Sequence, residues 1–134
     1  QDITPEADKL PQSSARYLAE IELHSVDELG GALTRAGELF DSGKFSAGSD
    51  TPVVFVLHGP EAKSLLNTNY SANKSLVDLA ARLSAFKVVD IKVCKTWMGG
   101  EGLDESQLPP FIDTVPFGPA EKQRLIEEEN YVYF

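Results

Sequence analysis

Three side chains capable of chemistry stand at the ends of predicted strands. Cys94 is the only cysteine in the 134-residue chain, and it closes an apolar, strand-like run over residues 88–94. His58 and His24, the only two histidines, each close another such run. Because the carboxyl ends of parallel strands meet at one edge of a sheet, we expect the three side chains to share that edge. A thiol placed there can act as a nucleophile or as a sulfur carrier.

Two features favour a reactive Cys94. Strand alternation places it on the face of Asp90 and Lys92, opposite the apolar side chains of the strand, so deep burial of the thiol is not expected. Lys95 and a nearby helix N-terminus would favour the thiolate, which is the attacking form. The alternative is a structural cysteine, since free cysteine is among the most buried residue types.

The neighbouring residues are open to two interpretations each. His58 is either a polar partner of the thiol or a strand-end histidine satisfied by the backbone, and His24 is the weaker candidate of the two. Trp97 either walls a pocket beside the thiol or packs against the core. Two histidines and one cysteine match the ligand number of a catalytic zinc site, but no closely spaced ligand pair is present, so no metal is predicted.

Strands and helices alternate along the chain. β-Branched, apolar or alternating segments predict five strands, over residues 16–24, 52–58, 88–94, 111–115 and 131–134. Helices are predicted after a capping box at Ser25 and Glu28, from Pro60, after a cap at Asn73, and from Pro119. Residues 67–73 and 95–108 are predicted loops, the second with one helical turn. The pattern indicates an α/β fold, a three-layer α/β/α sandwich with a mainly parallel five-stranded sheet and flavodoxin-like layering.

Composition limits the possible partners. The net charge of -9 and the pI near 4.6 argue against nucleic-acid or anionic-membrane binding. The longest apolar run, Val53 to Leu57, is too short to span a bilayer, so a soluble protein is predicted. No phosphate loop or dinucleotide fingerprint is present, and no cofactor is expected. The content of apolar residues, 42%, supports one domain over residues 15–134, preceded by a flexible polar leader over residues 1–14. A first residue other than Met is typical of a processed chain, which leaves a periplasmic or exported location and a cytoplasmic one both open.

Several segments resemble the DsrE/DsrF-like family of sulfur-relay proteins. They are Val-Phe-Val-Leu-His-Gly-Pro at 54–60, Ile-Lys-Val-Cys at 91–94, and Val-Pro-Phe-Gly at 115–118 with the ending through Leu125 to Tyr-Val-Tyr at 131–133. The resemblance spans about residues 16–134. It implies a three-layer fold with a parallel five-stranded sheet and homo-oligomers, trimers or hexamers, that would cover the aromatic strand at the end of the chain. Members acting in sulfur oxidation and tRNA thiolation carry a persulfide on a cysteine, and Cys94 is similar in placement to that residue.

The resemblance implies a sulfurtransferase-like carrier. Cys94, as the catalytic residue, would accept sulfane sulfur from a donor protein or small sulfur compound and pass it to a partner thiol. The accompanying binding or tuning residues would be His58, Gly59, Lys95, Thr96, Trp97 and His24. The alternative is a non-catalytic oligomeric module that binds a small ligand or a protein and holds a structural cysteine, with Cys94, His58 and Trp97 lining a pocket at a subunit interface.

Overall fold

A computed structural model describes residues 16–44 and 52–134 of the chain. It contains a five-stranded, all-parallel sheet with the strand order β4-β3-β2-β1-β5. The strands are β1 (Tyr17–Leu18), β2 (Val53–Leu57), β3 (Val89–Cys94), β4 (Asp113–Val115) and β5 (Val132–Tyr133). The predicted leader over residues 1–14 lies outside the described residues.

Four α-helices and several 3-10 turns connect the strands. The helices are α1 (Val26–Asp41), α2 (Lys74–Ala85), α3 (Lys95–Gly100) and α4 (Gly118–Glu127), and the 3-10 segments are Pro60–Leu65, Asn67–Asn69, Ser71–Asn73 and Glu105–Gln107. The helix predicted from Pro60 is thus a 3-10 helix. Most of the predicted loop over 67–73 is likewise 3-10 turn.

The sheet lies between two helical layers of unequal size. Val53, Phe55 and Leu57 face the main core, to which α1 and α2 contribute buried side chains, among them Leu33 and Leu83. The alternate side chains of β2, Val54 and Val56, face a smaller core that includes Leu125 of α4. Among the described residues, α4 is the only α-helix that contributes side chains to this smaller core. The predicted three-layer α/β/α fold is confirmed.

The first strand is much shorter than predicted. The alternating pattern predicts a strand over residues 16–24, but only Tyr17–Leu18 pair as one. The backbone N–H groups of Glu22, Leu23 and His24 instead donate to the carboxylate of Glu28, at 2.7, 2.9 and 2.9 Å. Burial raises the pKa of Glu28, but these three donors outweigh it, so the pKa is lowered overall. Amides committed to a side chain cannot extend a ladder, and the segment leaves the sheet.

The two predicted helix caps have different outcomes. Ser25 Oγ accepts the N–H of Glu28 at 3.1 Å and caps α1, as predicted. Asn73 makes no side-chain cap on α2, because its amide nitrogen donates back to the Asn69 carbonyl at 3.1 Å. The Asn73 side chain therefore stabilises the 3-10 turns before α2 instead of capping α2.

Within the described ranges, no helix is both long enough and apolar enough to cross a membrane.

Candidate functional site

His58 and Cys94 lie side by side at the carboxyl edge of the sheet. Leu57 of β2 pairs with Val93 of β3, so the next residue of each strand reaches the same level. Gly118, the first residue of α4, packs over both of them. A Cβ added to Gly118 would lie 3.1 Å from Cys94 Cβ and 3.3 Å from His58 Cβ. Glycine at this position therefore lets α4 approach the thiol and the imidazole closely, and a larger residue would require their backbones to move by a few tenths of an ångström.

The Cys94 side chain is buried, with 2% of its surface exposed. The prediction that Cys94 is not deeply buried is wrong. The prediction that Cys94 shares the sheet face of Asp90 and Lys92 is correct. Lys92, two residues earlier on that face, lies 3.7 Å from Glu121 of α4. The first turn of α4 covers this face at Cys94, and strand alternation carries no information about where that helix packs.

Cys94 caps the short helix α3. Its Sγ accepts the backbone N–H of Trp97 at 3.4 Å, so an N–H dipole points at the sulfur. The Trp97 ring packs against the main core. The ammonium of Lys95 pairs with the carboxylate of Glu105 at 3.1 Å.

Thr96 fastens the segment that leads to Gly118. Its backbone N–H and its Oγ both donate to the Pro116 carbonyl, at 3.2 and 2.8 Å. The hydroxyl is exposed. Thr96 therefore ties the start of α3 to the connection that leads into α4, whose first residue lies against Cys94.

His24 belongs to a second cluster, built around Gly59. Its backbone adopts a left-handed φ of 55°, and its Nδ1 lies 3.0 Å from Oε1 of Glu61. Glu61 is fully buried, and its second oxygen, Oε2, has no hydrogen-bond partner among the described residues. A Cβ on Gly59 would come within 2.6 Å of His24 Nδ1 and 2.8 Å of Glu61 Oε1, so only glycine leaves room for this pair.

The two histidine rings join the clusters. Their centroids lie 4.9 Å apart in an edge-to-face arrangement, with an interplanar angle of 62°. All three side chains that the sequence places at strand ends therefore lie along one edge of the sheet. His24 reaches it from the loop before α1 rather than from a strand.

His58 is held in its neutral form. Burial, followed by the positive charge of Lys122 and then His24, lowers the pKa of His58 below 6.5. Lys122 Nζ lies 3.4 Å from His58 Nε2. An ammonium group has only protons to donate, so Nε2 is the acceptor and the ring proton resides on Nδ1.

An open pocket of about 370 Å³ begins at His58 and runs along α4 to β5. Its lining residues include Lys122, Glu127 and Tyr133. It gives the carboxyl edge a recess large enough for a small molecule. The thiol of Cys94 does not line it, and His58 lies between the two.

No group of three or more histidine, cysteine or acidic side chains in residues 16–44 and 52–134 has a metal-binding arrangement. Sequence reasoning missed three residues of the site, namely Glu61, Gly118 and Lys122. Glu61 follows Gly59-Pro60 without any motif, and Lys122 lies in a helix whose composition indicates a solvated face. Only the fold brings these residues to the histidines.

The fold is shared with a protein of known structure. No protein-family model matches the chain, and no curated protein matches it either. The structure is similar to that of MTH1491, a protein of unknown function from Methanobacterium thermoautotrophicum, with a TM-score of 0.59 and 16% sequence identity. The match covers 90% of this chain and 95% of that one. At this identity the likeness is one of fold.

Proposed function

We propose that the protein is a sulfur carrier of the DsrE/DsrF-like kind, in which Cys94 holds sulfane sulfur as a persulfide. The observation that carries the proposal is the position of Cys94, at the end of a central strand, adjacent to the neutral His58 and with the N–H of Trp97 donated to its sulfur. An N–H dipole directed at sulfur stabilises the negative charge that a thiolate or persulfide anion carries.

The proposed transfer is an exchange without net oxidation. The Cys94 thiolate attacks the outer sulfur of a donor persulfide, R–S–SH, and the bond between the donor's two sulfurs breaks. The products are Cys94–S–SH and the donor thiolate R–S⁻. An acceptor thiolate then attacks the outer sulfur of Cys94–S–SH, which returns Cys94 to its thiolate. The proton of the Cys94 thiol passes to solvent when the thiolate forms, because the one unprotonated nitrogen of His58, Nε2, is already engaged by Lys122.

Access to the thiol requires a local displacement of its cover. Gly118, in the first turn of α4, covers the thiol, and residues 116–117 connect β4 to this turn. One carbonyl of the connection, that of Pro116, accepts both bonds from Thr96. Short connections and helix ends open at a lower free energy than the whole fold, so a donor needs to displace only this connection and the first turn of α4.

We also propose a homo-oligomer, a trimer or hexamer. Val132 and Tyr133 of the edge strand β5 are about half exposed, at 52% and 53%. An exposed apolar edge strand favours association with a further chain.

A second function has one observation in its favour. Burial of Cys94 suits a binding module in which the cysteine is structural, and the pocket beside His58 would then be the functional feature.

Intact-protein mass spectrometry distinguishes the two functions. The native chain and Cys94→Ser are incubated with inorganic polysulfide under native conditions, and the unfolded native chain serves as the positive control. A carrier gains the mass of one sulfur atom on the folded native chain, and Cys94→Ser does not. Gain of sulfur only after unfolding would reject the carrier and support the binding module.

A further inference from the structure

Two opposite charges line the pocket along α4 without contacting each other. Lys122 Nζ lies 3.4 Å from His58 Nε2, and Glu127 accepts a hydrogen bond from Gln123 at 3.2 Å. In the part of the chain that the structure describes, neither forms an ion pair. The five-residue separation on the helix places their backbones about 7.5 Å apart along its axis. Both charges therefore remain available to a ligand.

The other cations beside α4 are already neutralised. Lys92 and Arg124 both contact the carboxylate of Glu121, at 3.7 and 2.8 Å. Arg124 also pairs with Glu129 at 3.2 Å. Lys122 is the cation near this helix whose charge faces a pocket instead of a carboxylate.

The surroundings disfavour a ligand that carries negative charge alone. Glu127 lies at the far end of the pocket from His58, and further acidic side chains stand on the loop after β1. There the pKa of Glu20 is raised, chiefly by its hydrogen bond to Glu22, while nearby Lys122 acts to lower it. These carboxylates would repel a ligand that carries only negative charge, and Lys122 would repel a ligand that carries only positive charge.

The remaining wall of the pocket is apolar, formed by Pro119, Ile126 and the ring of Tyr133. The pocket also spans the place where the strand order reverses, since the chain runs from β1 through β2 and β3 to β4 and then returns to the other side of β1 for β5. Small molecules bind parallel sheets at such reversal points, near the carboxyl ends of the strands.

We propose that this pocket binds a small zwitterion, with its carboxylate at Lys122 and its ammonium at Glu127. The apolar wall takes the uncharged part of the molecule. If Cys94 is the sulfur carrier proposed above, the natural ligand is an amino-acid or short-peptide thiol, which receives sulfane sulfur from Cys94–S–SH, or the persulfide of that thiol, which gives its outer sulfur to the Cys94 thiolate. The class of ligand follows from the pocket charges alone, and only its identity as a thiol rests on the proposed function.

The test uses the Cys94→Ser chain, so that no sulfur exchange contributes to the signal. Binding is followed by NMR chemical-shift titration with three matched probes: S-methyl-L-cysteine, 3-(methylthio)propionate without the ammonium, and 2-(methylthio)ethylamine without the carboxylate. S-methylglutathione extends the set to a greater separation between charges. We expect a saturable response at His58, Ile126 and Tyr133, with one of the zwitterions at least about fivefold tighter than either single-charge probe.

Charge-neutralising variants assign the two ends. Lys122→Gln should weaken zwitterion binding about fivefold without weakening the ethylamine probe, and Glu127→Gln should weaken zwitterion binding about fivefold without weakening the propionate probe. Lys44→Gln, a change at an exposed lysine remote from the pocket, is the matched control. Equal affinity for all probes, no saturation, or shifts outside the pocket would overturn the proposal.

The outcome is independent of the persulfide test. Zwitterion binding by Cys94→Ser, together with a native chain that gains no sulfur, would retain the pocket and reject the carrier. Sulfur gain by the native chain without zwitterion binding would support the carrier and reject the zwitterion site.

Discussion

Gly59 and Gly118 both lie at the carboxyl edge of the sheet, and each allows two chemically active side chains to pack against the backbone. At Gly59 the space that a Cβ would need is taken by His24 Nδ1 at 2.6 Å and Glu61 Oε1 at 2.8 Å. At Gly118 the nearest atoms are Cys94 Cβ at 3.1 Å and His58 Cβ at 3.3 Å. The first cluster is tighter by about half an ångström.

The two clusters also differ in what they hold. The Gly59 cluster encloses a fully buried carboxyl group whose hydrogen-bond partner is the histidine beside it. The Gly118 cluster holds a thiol and a neutral imidazole, beneath a short segment and beside an open pocket. The Gly59 cluster is accordingly the more tightly packed of the two, and the proposed carrier function requires the Gly118 cluster to open.

The largest expected effect is on stability, at Gly59. Gly59→Ala should lower the free energy of unfolding by about 2–3 kcal/mol, because the new methyl group overlaps the hydrogen-bonded pair of His24 and the buried Glu61. Gly118→Ala should cost about 1 kcal/mol or less, since its neighbours need to move by only a few tenths of an ångström. Urea denaturation with a common m-value measures both.

Gly31→Ala is the control for these two changes. A Cβ on Gly31, within α1, meets nothing within 4 Å, so alanine should raise stability by about 0.5–1 kcal/mol through helix propensity. Equal losses of stability in Gly59→Ala and Gly118→Ala would contradict the conclusion that the Gly59 cluster is the more tightly packed of the two.

The next effect is on the accessibility of the thiol. Thr96→Val removes the 2.8 Å hydrogen bond from Oγ to the Pro116 carbonyl but keeps the bond from the backbone N–H. Loss of about 1 kcal/mol from the closed state should raise the alkylation rate of Cys94 about fivefold. Iodoacetamide labelling of the folded protein, followed by mass, gives the rate. Thr34→Val, on an exposed part of α1, should leave the alkylation rate unchanged. An unchanged rate in Thr96→Val would show that the hydrogen bond from Thr96 to Pro116 does not limit access to Cys94.

The sequence predicts the sheet and the proximity of His58 and Cys94. It does not predict three other features of the edge, and each has a physical reason. The unbroken apolar run 53–57 predicts a central strand, and the strand-end positions of His58 and Cys94 predict their proximity. The burial of Cys94 depends on where α4 packs, and the hydrogen bond between His24 and Glu61 joins residues 37 positions apart. The loss of the second half of β1 depends on Glu28, whose carboxylate competes with the ladder for amides. Local patterns do not encode such long-range competition.

The smallest effect concerns protonation of His58. Because its folded-state pKa is lowered, first by burial and then by Lys122, the native chain binds fewer protons here than the unfolded chain. This contribution to stability is complete above about pH 6.5 and is lost as the pH falls from there through the lowered pKa. Lys122→Gln should shift the His58 pKa upward towards 6.5, as followed by NMR titration of the ring protons. The Lys44→Gln control should not shift it, and a downward shift in Lys122→Gln would contradict the assigned cause.

The central claim is that a thiol buried in the folded protein is nevertheless available for chemistry through local opening at the Gly118 cluster. The most direct measurement is the iodoacetamide alkylation rate of Cys94 in the native chain, taken from zero denaturant through the unfolding transition. Local opening exposes little surface, so we predict a rate that is nearly independent of urea well below the transition. A rate that rises with the full unfolding m-value from zero urea onwards would mean that Cys94 reacts only in the unfolded chain, and would contradict the account.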